Sequence, residues 1–226
     1  MSDEVELRAA WAEVVAPGRR SDEWFDEVVG RHRQAHRRYH GVRHVVWVLR
    51  HVRELEAAVV DCAGPEYDGG AVTVAAFFHD AVYDPTASDN EERSAVLADR
   101  ALRVLGWATQ RRDRVVALVR ATAGHIGPVS PTADATATER AVLVDADLAV
   151  LGSDSASYTA YATGVRAEYG HLPDDAWSRG RGDVLRRLLS RATLFETAPA
   201  QQWWEPAARA NLTAELAGLD AVSRGG

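Results

Sequence analysis

The sequence predicts an all-α protein, a helical bundle with no β-sheet of consequence. Three observations carry this. Apolar residues recur at three- and four-residue spacing, as in Val45, Val48, Leu49, Val52 and Leu55. Residues that start and stop helices punctuate that pattern. No pair of alternating apolar–polar runs flanks a tight turn, and no internal repeat is visible.

In chain order, residues 3–16 and 21–32 read as two amphipathic helices separated by Pro17-Gly18, with Ser21 as N-cap before Asp22 and Glu23. The basic stretch from Arg31 to Arg53 carries His32, His36, His40 and His44, one every four residues. Gly41 argues against one continuous helix, so a turn is expected near Tyr39–Gly41. A new helix then runs from about Val42 to Val60, with His44 in its first turn. Pro65–Gly70 reads as a loop, and residues 71–82 as a buried apolar helix ending in His79-Asp80. Ser88-Asp89-Asn90-Glu91 has the pattern of a capping box and opens a helix to about Leu105.

Past Gly106-Trp107-Ala108 a helix is expected at 109–122. Gly124–Thr138 is the longest irregular segment; most such loops are mobile surface and a minority are lids. Glu139–Leu151 returns to apolar character with Asp145 and Asp147 embedded in it. Tyr158, Tyr161, Val165 and Tyr169 fall at helical spacing, as a core-facing stripe does. Further helices are expected at Gly180–Arg191 and about Pro199–Leu219, with Leu194-Phe195 and Trp203-Trp204 filling between them.

A chain of 226 residues can bury a sizeable core as one domain. No apolar run approaches the roughly 20 residues that span a bilayer, and the start, Met1-Ser2-Asp3-Glu4, is acidic, unlike a signal peptide. A cytoplasmic protein with no membrane partner is therefore expected. The single Cys62 excludes an intramolecular disulfide framework and a thiol-rich zinc knuckle. A net charge of −7 argues against a nucleic-acid polymer as partner. All 26 basic residues are Arg, a residue suited to bidentate phosphate recognition, but GC-rich coding is the simpler account. The oligomeric state stays open.

Within this frame His79-Asp80 is the central feature, because it ends an apolar run with a neutral nitrogen donor beside an anion. A buried, unpaired carboxylate is costly, so such a pair needs a partner. His44 at a helix start and Asp147 in Val144-Asp145-Ala146-Asp147-Leu148 are the matching candidates, with Asp145 competing for the last place. Two imidazoles and two carboxylates suit one divalent ion, Mn, Mg, Fe, Co, Ni or Zn. Four protein ligands on an ion preferring six leave room for water or substrate.

The ordered set of motifs resembles the HD-domain metal-dependent phosphohydrolases, and more closely a predicted stand-alone bacterial branch of that superfamily. The resemblance rests on Tyr39-His40-Gly41-Val42-Arg43-His44, Phe78-His79-Asp80-Ala81-Val82-Tyr83-Asp84 and Ser88-Asp89-Asn90-Glu91-Glu92-Arg93-Ser94. It continues through Asp145-Ala146-Asp147-Leu148-Ala149-Val150-Leu151-Gly152, Val165-Arg166-Ala167-Glu168-Tyr169, Gly180-Arg181 and Ala208-Arg209-Ala210-Asn211-Leu212, spanning about residues 24–216. Gly41 departs from the branch, where Asn is expected.

The resemblance implies an all-α fold, His44, His79, Asp80 and Asp147 as metal ligands, and hydrolysis of a phosphate ester of a small metabolite, a nucleotide foremost. Asp84, four residues beyond Asp80, and Glu92 in the next helix are the candidate general bases. His40, Arg43, His125 and Arg166 could meet the substrate phosphate, although surface salt bridges explain the two Arg equally well. The rival readings are a dinuclear HD-type oxygenase, for which His40 and His125 could add ligands, and a nucleotide-sensing module without turnover.

Overall fold

The computed structural model describes residues 2–59, 65–123 and 136–225. Among the described residues the structure is all helical and contains no strand. The helices are α1 (Asp3–Val14), α2 (Arg19–His32), α3 (Val42–Val59), α4 (Gly69–Phe78) and α5 (Asn90–Val104). They continue with α6 (Thr109–Ala121), α7 (Ala137–Leu148), α8 (Ser155–Glu168), α9 (Asp174–Leu189) and α10 (Ala198–Gly225). A 3-10 turn, Ala149–Gly152, links α7 to α8. Among the described residues no helix is long and apolar enough to cross a membrane.

The centre of the bundle is α4. Every residue from Val74 to Phe78 has no exposed surface, so this helix is apolar on all sides rather than on one stripe. It packs against α1, α3, α5, α6 and α7. Trp11 meets Phe77 edge to face at 5.2 Å, and Phe25 closes the same aromatic cluster. The expected α3 stripe of Val45, Val48, Leu49, Val52 and Leu55 is fully buried.

Several helix ends differ from the sequence reading, each for a local reason. α2 begins at Arg19 and its N-cap is Gly18; Ser21 lies inside the helix, where its hydroxyl accepts a 3.0 Å bond from the Trp11 indole. α4 stops at Phe78 instead of Val82. The carbonyls beyond it are taken by the buried guanidinium of Arg37, which donates to Asp80 O at 2.7 Å and Ala81 O at 3.2 Å. No capping box forms at α5, whose N-cap is Asp89 without a side-chain bond. Instead the Asn90 amide pairs with the backbone of Asp84, accepting from its N–H at 3.0 Å and donating to its carbonyl at 2.8 Å. Residues 69 and 70, expected in a loop, already belong to α4, capped by Asp68. The expected irregular segment Gly124–Thr138 lies outside the described residues up to 135, and α7 starts at Ala137.

One close approach fixes the second half of the chain. A Cβ added at Gly152 would stand 2.5 Å from Trp204 Cβ and 2.9 Å from its Cα, so the 3-10 turn rests directly on α10. Asp145, fully buried, accepts from the backbone N–H groups of Glu196 at 2.8 Å and Thr197 at 2.7 Å, fixing the entry of α10. The Asp145 bonds fix the end of α7, and Asp147, two residues on, faces His44 and His79.

Candidate metal centre

His44, His79, Asp80 and Asp147 come together from α3, the turn after α4, and α7. The Nε2 atoms of His44 and His79 are 2.9 Å apart. Asp80 Oδ2 lies 3.4 Å from His44 Nε2 and 3.3 Å from His79 Nε2. Asp147 Oδ1 lies 3.2 Å and 3.6 Å from the same two atoms. One ligand atom from each of His44, His79 and Asp147 falls within 4.8 Å of the others, the spacing of groups that can share an ion. Both His side chains are 1 % exposed and the two Asp side chains 15 % and 12 %, so the carboxylates form the side open to water.

The donor set fits a cation. His79 Nδ1 sits 2.9 Å from the Ala76 carbonyl, which can only accept, so Nδ1 carries the proton and Nε2 presents a lone pair. That lone pair faces another imidazole nitrogen and two carboxylate oxygens, an arrangement of acceptors that repel one another unless positive charge lies between them. Burial alone would push the His79 pKa down, but Asp80 and Asp147 outweigh it and hold it well above the ordinary imidazole value. Burial opposes ionisation of Asp80 too, yet His79 and His44 hold its carboxyl well below the usual range. His44 is raised for the same reason, against burial, chiefly by Asp147 and Asp80. Without an ion the carboxylates thus draw protons onto the imidazoles; a divalent ion in their place would take both imidazoles as neutral donors and both carboxylates as anions.

Above these four groups opens a cavity of about 630 Å³, lined at its base by Asp80, Asp147, Tyr39, His40 and Tyr83. His40 is held by Glu168, a residue whose place in the site the sequence does not announce. Its Oε1 accepts from the backbone N–H groups of Arg38, Tyr39 and His40 at 2.7, 2.8 and 3.0 Å. Its Oε2 accepts from His40 Nδ1 at 2.6 Å and from the Tyr83 hydroxyl at 2.8 Å. Burial disfavours the Glu168 anion, but His40 and the backbone donors bring its pKa down to about 2. An ionised Glu168 makes His40 Nδ1 the protonated nitrogen and leaves Nε2 with a lone pair. Gly164 allows this contact, because a Cβ there would be 3.1 Å from Tyr39 Cβ.

The four-residue histidine ladder is therefore distributed. His32 Nε2 donates to Phe77 O and His36 Nε2 to Tyr83 O, both at 3.0 Å, while His40 meets Glu168 and His44 the metal-type cluster. The first two tie the turn after α2 to the segment that carries His79-Asp80.

The two expected bases sit elsewhere. Asp84 accepts from the Thr86 N–H at 2.9 Å and the Thr86 hydroxyl at 2.7 Å, closing its own turn. Glu92 is half exposed and forms a bidentate pair with Arg120 at 2.6 and 2.7 Å. Neither lines the cavity; Glu91, one residue earlier and about 100° around the helix, does. Glu91 makes no hydrogen bond or salt bridge to a described residue. The fine positioning was hidden in the sequence, because a one-residue shift in helix phase exchanges the two glutamates.

Of the expected phosphate contacts, His40 lines the cavity. Arg43 is exposed on α3 and is not part of the lining. Arg166 donates to the carbonyls of Tyr169 and Leu172 and pairs with Asp174 at 2.7 Å, joining α8 to α9. His125 lies outside the described residues. The tyrosine stripe divides: Tyr158 is buried, whereas Tyr161 and Tyr169 line the cavity. In comparisons with known proteins, no family model, no curated protein and no solved structure matches the chain.

Proposed function

We propose that the chain is a metal-dependent phosphohydrolase of the HD type, acting on a phosphate ester of a small metabolite such as a nucleotide. The observation that supports this most is the convergence of two imidazole nitrogens and two carboxylates, with the carboxylates facing the cavity. His44, His79, Asp80 and Asp147 would hold one divalent ion. What that ion supplies when bound is acidification of water and neutralisation of phosphoryl charge.

The remaining roles belong to the chain's own residues. His79 is fixed in ring orientation and tautomer by Ala76 O, so its Nε2 lone pair needs no rearrangement. His40, oriented by Glu168 through Nδ1, has Nε2 available to accept a proton or to donate one to a phosphoryl or leaving-group oxygen. Glu91 offers a second carboxylate at the cavity, able to take a proton from water. Arg37 bonds the carbonyls of His40 and Asp80 at 2.9 and 2.7 Å and thereby ties the proton-transfer residue to the ligand turn.

The test is a panel of phosphate esters assayed with Mn, Mg, Co and Ni. Release of inorganic phosphate that is lost in Asp80→Ala supports the reading. Ligand binding without product release, on protein shown to contain metal, would overturn it in favour of a sensing module.

A further inference from the structure

One side of the cavity differs in chemistry from its base. Val165 of α8, Leu172 of the α8–α9 connection and Val184 and Leu188 of α9 make an apolar wall. Tyr161, Tyr169 and Trp177 add ring faces, Tyr169 and Trp177 with centroids 5.5 Å apart. A volume of about 630 Å³ exceeds what a phosphoryl group fills and matches pockets that take whole small molecules.

The charges there are equally informative. Asp80 and Asp147 would be neutralised by the ion, whereas Glu91 faces the cavity with no cationic partner among the described residues and repels anionic groups beyond the one the ion would hold. Among the described residues Arg181 is the arginine in its lining; it is 8 % exposed and each guanidinium nitrogen already donates, Nε and Nη2 to Glu215 at 2.8 and 2.9 Å and Nη1 to the Tyr161 hydroxyl at 3.1 Å. Two of the polar side chains in the lining are also committed to the protein. Asn90 uses both amide atoms on the Asp84 backbone, and the Thr122 hydroxyl donates to Val119 O. Among the described lining residues no arginine is left open for further phosphates, and unpaired polar groups of a ligand lose affinity against the apolar wall.

Resting on the phosphohydrolase reading, we infer that the substrate is a phosphate monoester whose leaving alcohol is uncharged and apolar or aromatic, and that the α8–α9 wall selects it. Nucleoside di- and triphosphates and sugar phosphates are poor fits by the same argument. Reaction of such an ester consumes water, breaks the P–O bond and releases the alcohol and inorganic phosphate.

The experiment has two independent arms. Hydrolysis of 1-naphthyl phosphate, a nucleoside monophosphate, a nucleoside triphosphate and a hexose phosphate is compared with the metal-loaded protein. Binding of 1-naphthol is followed separately by calorimetry with no metal added. Expected are a kcat/KM for 1-naphthyl phosphate at least about tenfold above those for the triphosphate and the hexose phosphate, and saturable naphthol binding. Val184→Asp and Leu172→Asp, each checked for an unchanged helical spectrum and full metal content, should each weaken naphthol binding by about tenfold or more. Preference for the triphosphate or the hexose phosphate overturns the inference, as does naphthol binding that is absent or indifferent to both variants. Naphthol binding that both variants weaken, with no phosphate ester hydrolysed, leaves the apolar ligand class standing and overturns the hydrolase reading instead.

Discussion

The base of the cavity and its outer wall solve opposite problems. At the base, four polar groups are buried almost completely, and the two carboxylates there call for positive charge, from protons on the imidazoles or from a metal ion. In the wall, Leu172 and Val184 stay partly exposed beside the buried Val165 and Leu188, and their burial asks for no ion. A buried constellation of this kind is costly to keep without a ligand, so it points to what is bound. A wall of ordinary apolar residues carries no such penalty and speaks only to the shape and polarity of what fits.

The largest expected effect breaks the base. Asp80→Ala removes an anionic ligand and should lower metal affinity by more than about 10²-fold, since loss of an outer partner alone costs roughly 10–100-fold. Hydrolysis should vanish while the helical spectrum persists. Near-normal turnover in this variant would remove the centre from consideration.

Proton transfer comes next. Glu91→Gln and His40→Gln should each leave metal content unchanged and reduce kcat by about 10²-fold or more, the usual contribution of a positioned acid or base. Glu92→Gln and Asp84→Asn should stay close to wild type, because those carboxylates serve Arg120 and the Thr86 turn. A large loss in Glu92→Gln with none in Glu91→Gln would reverse the assignment of helix face.

Both outcomes bear on what could be read from sequence. That His44, His79, Asp80 and Asp147 would come together was legible because residue type and context suffice there: two acids and two imidazoles in apolar runs need a shared partner to be tolerated. Asp147 was separable from Asp145 only by preference, and the reason is now visible. Asp145 finds two backbone donors at Glu196 and Thr197, more than fifty residues away, which no local pattern announces. Glu168 escaped for the same reason, as its five bonds reach segments more than eighty residues distant. Helix existence followed from periodicity, whereas helix ends depended on tertiary partners such as Arg37 at the end of α4 and Asn90 before α5.

A smaller effect probes the link between base and wall. Glu168 lies on α8 and has a folded pKa of about 2 against an ordinary value of 4.5. Because the folded value is depressed, its contribution is complete above about pH 4.5 and is lost as pH falls toward 2. Glu168→Gln should therefore be less stable than wild type at pH 7 by on the order of 3 kcal/mol. The gap should narrow when urea unfolding is repeated at pH 3. An equal gap at both pH values would show that the Glu168 charge is not what holds the 38–40 turn.

The smallest expected effect concerns packing behind the site. Gly152→Ala puts a methyl group against the Trp204 backbone and should cost about 1–3 kcal/mol in thermal or urea unfolding. Metal content should be unchanged, because the strain falls on the 3-10 turn and α10 and not on the ligands. Loss of metal at unchanged stability would mean that this contact, and not the Asp145 bonds alone, sets the position of Asp147.

Elemental analysis of the purified protein, after removal of loosely held ions, tests the central claim most directly. One transition metal ion per chain, lost in Asp80→Ala and in His79→Ala, is the predicted result. Two ions per chain would favour a dinuclear oxygenase-type centre, and a folded wild-type protein that takes up no ion when offered Mn, Co, Ni or Zn would contradict the account.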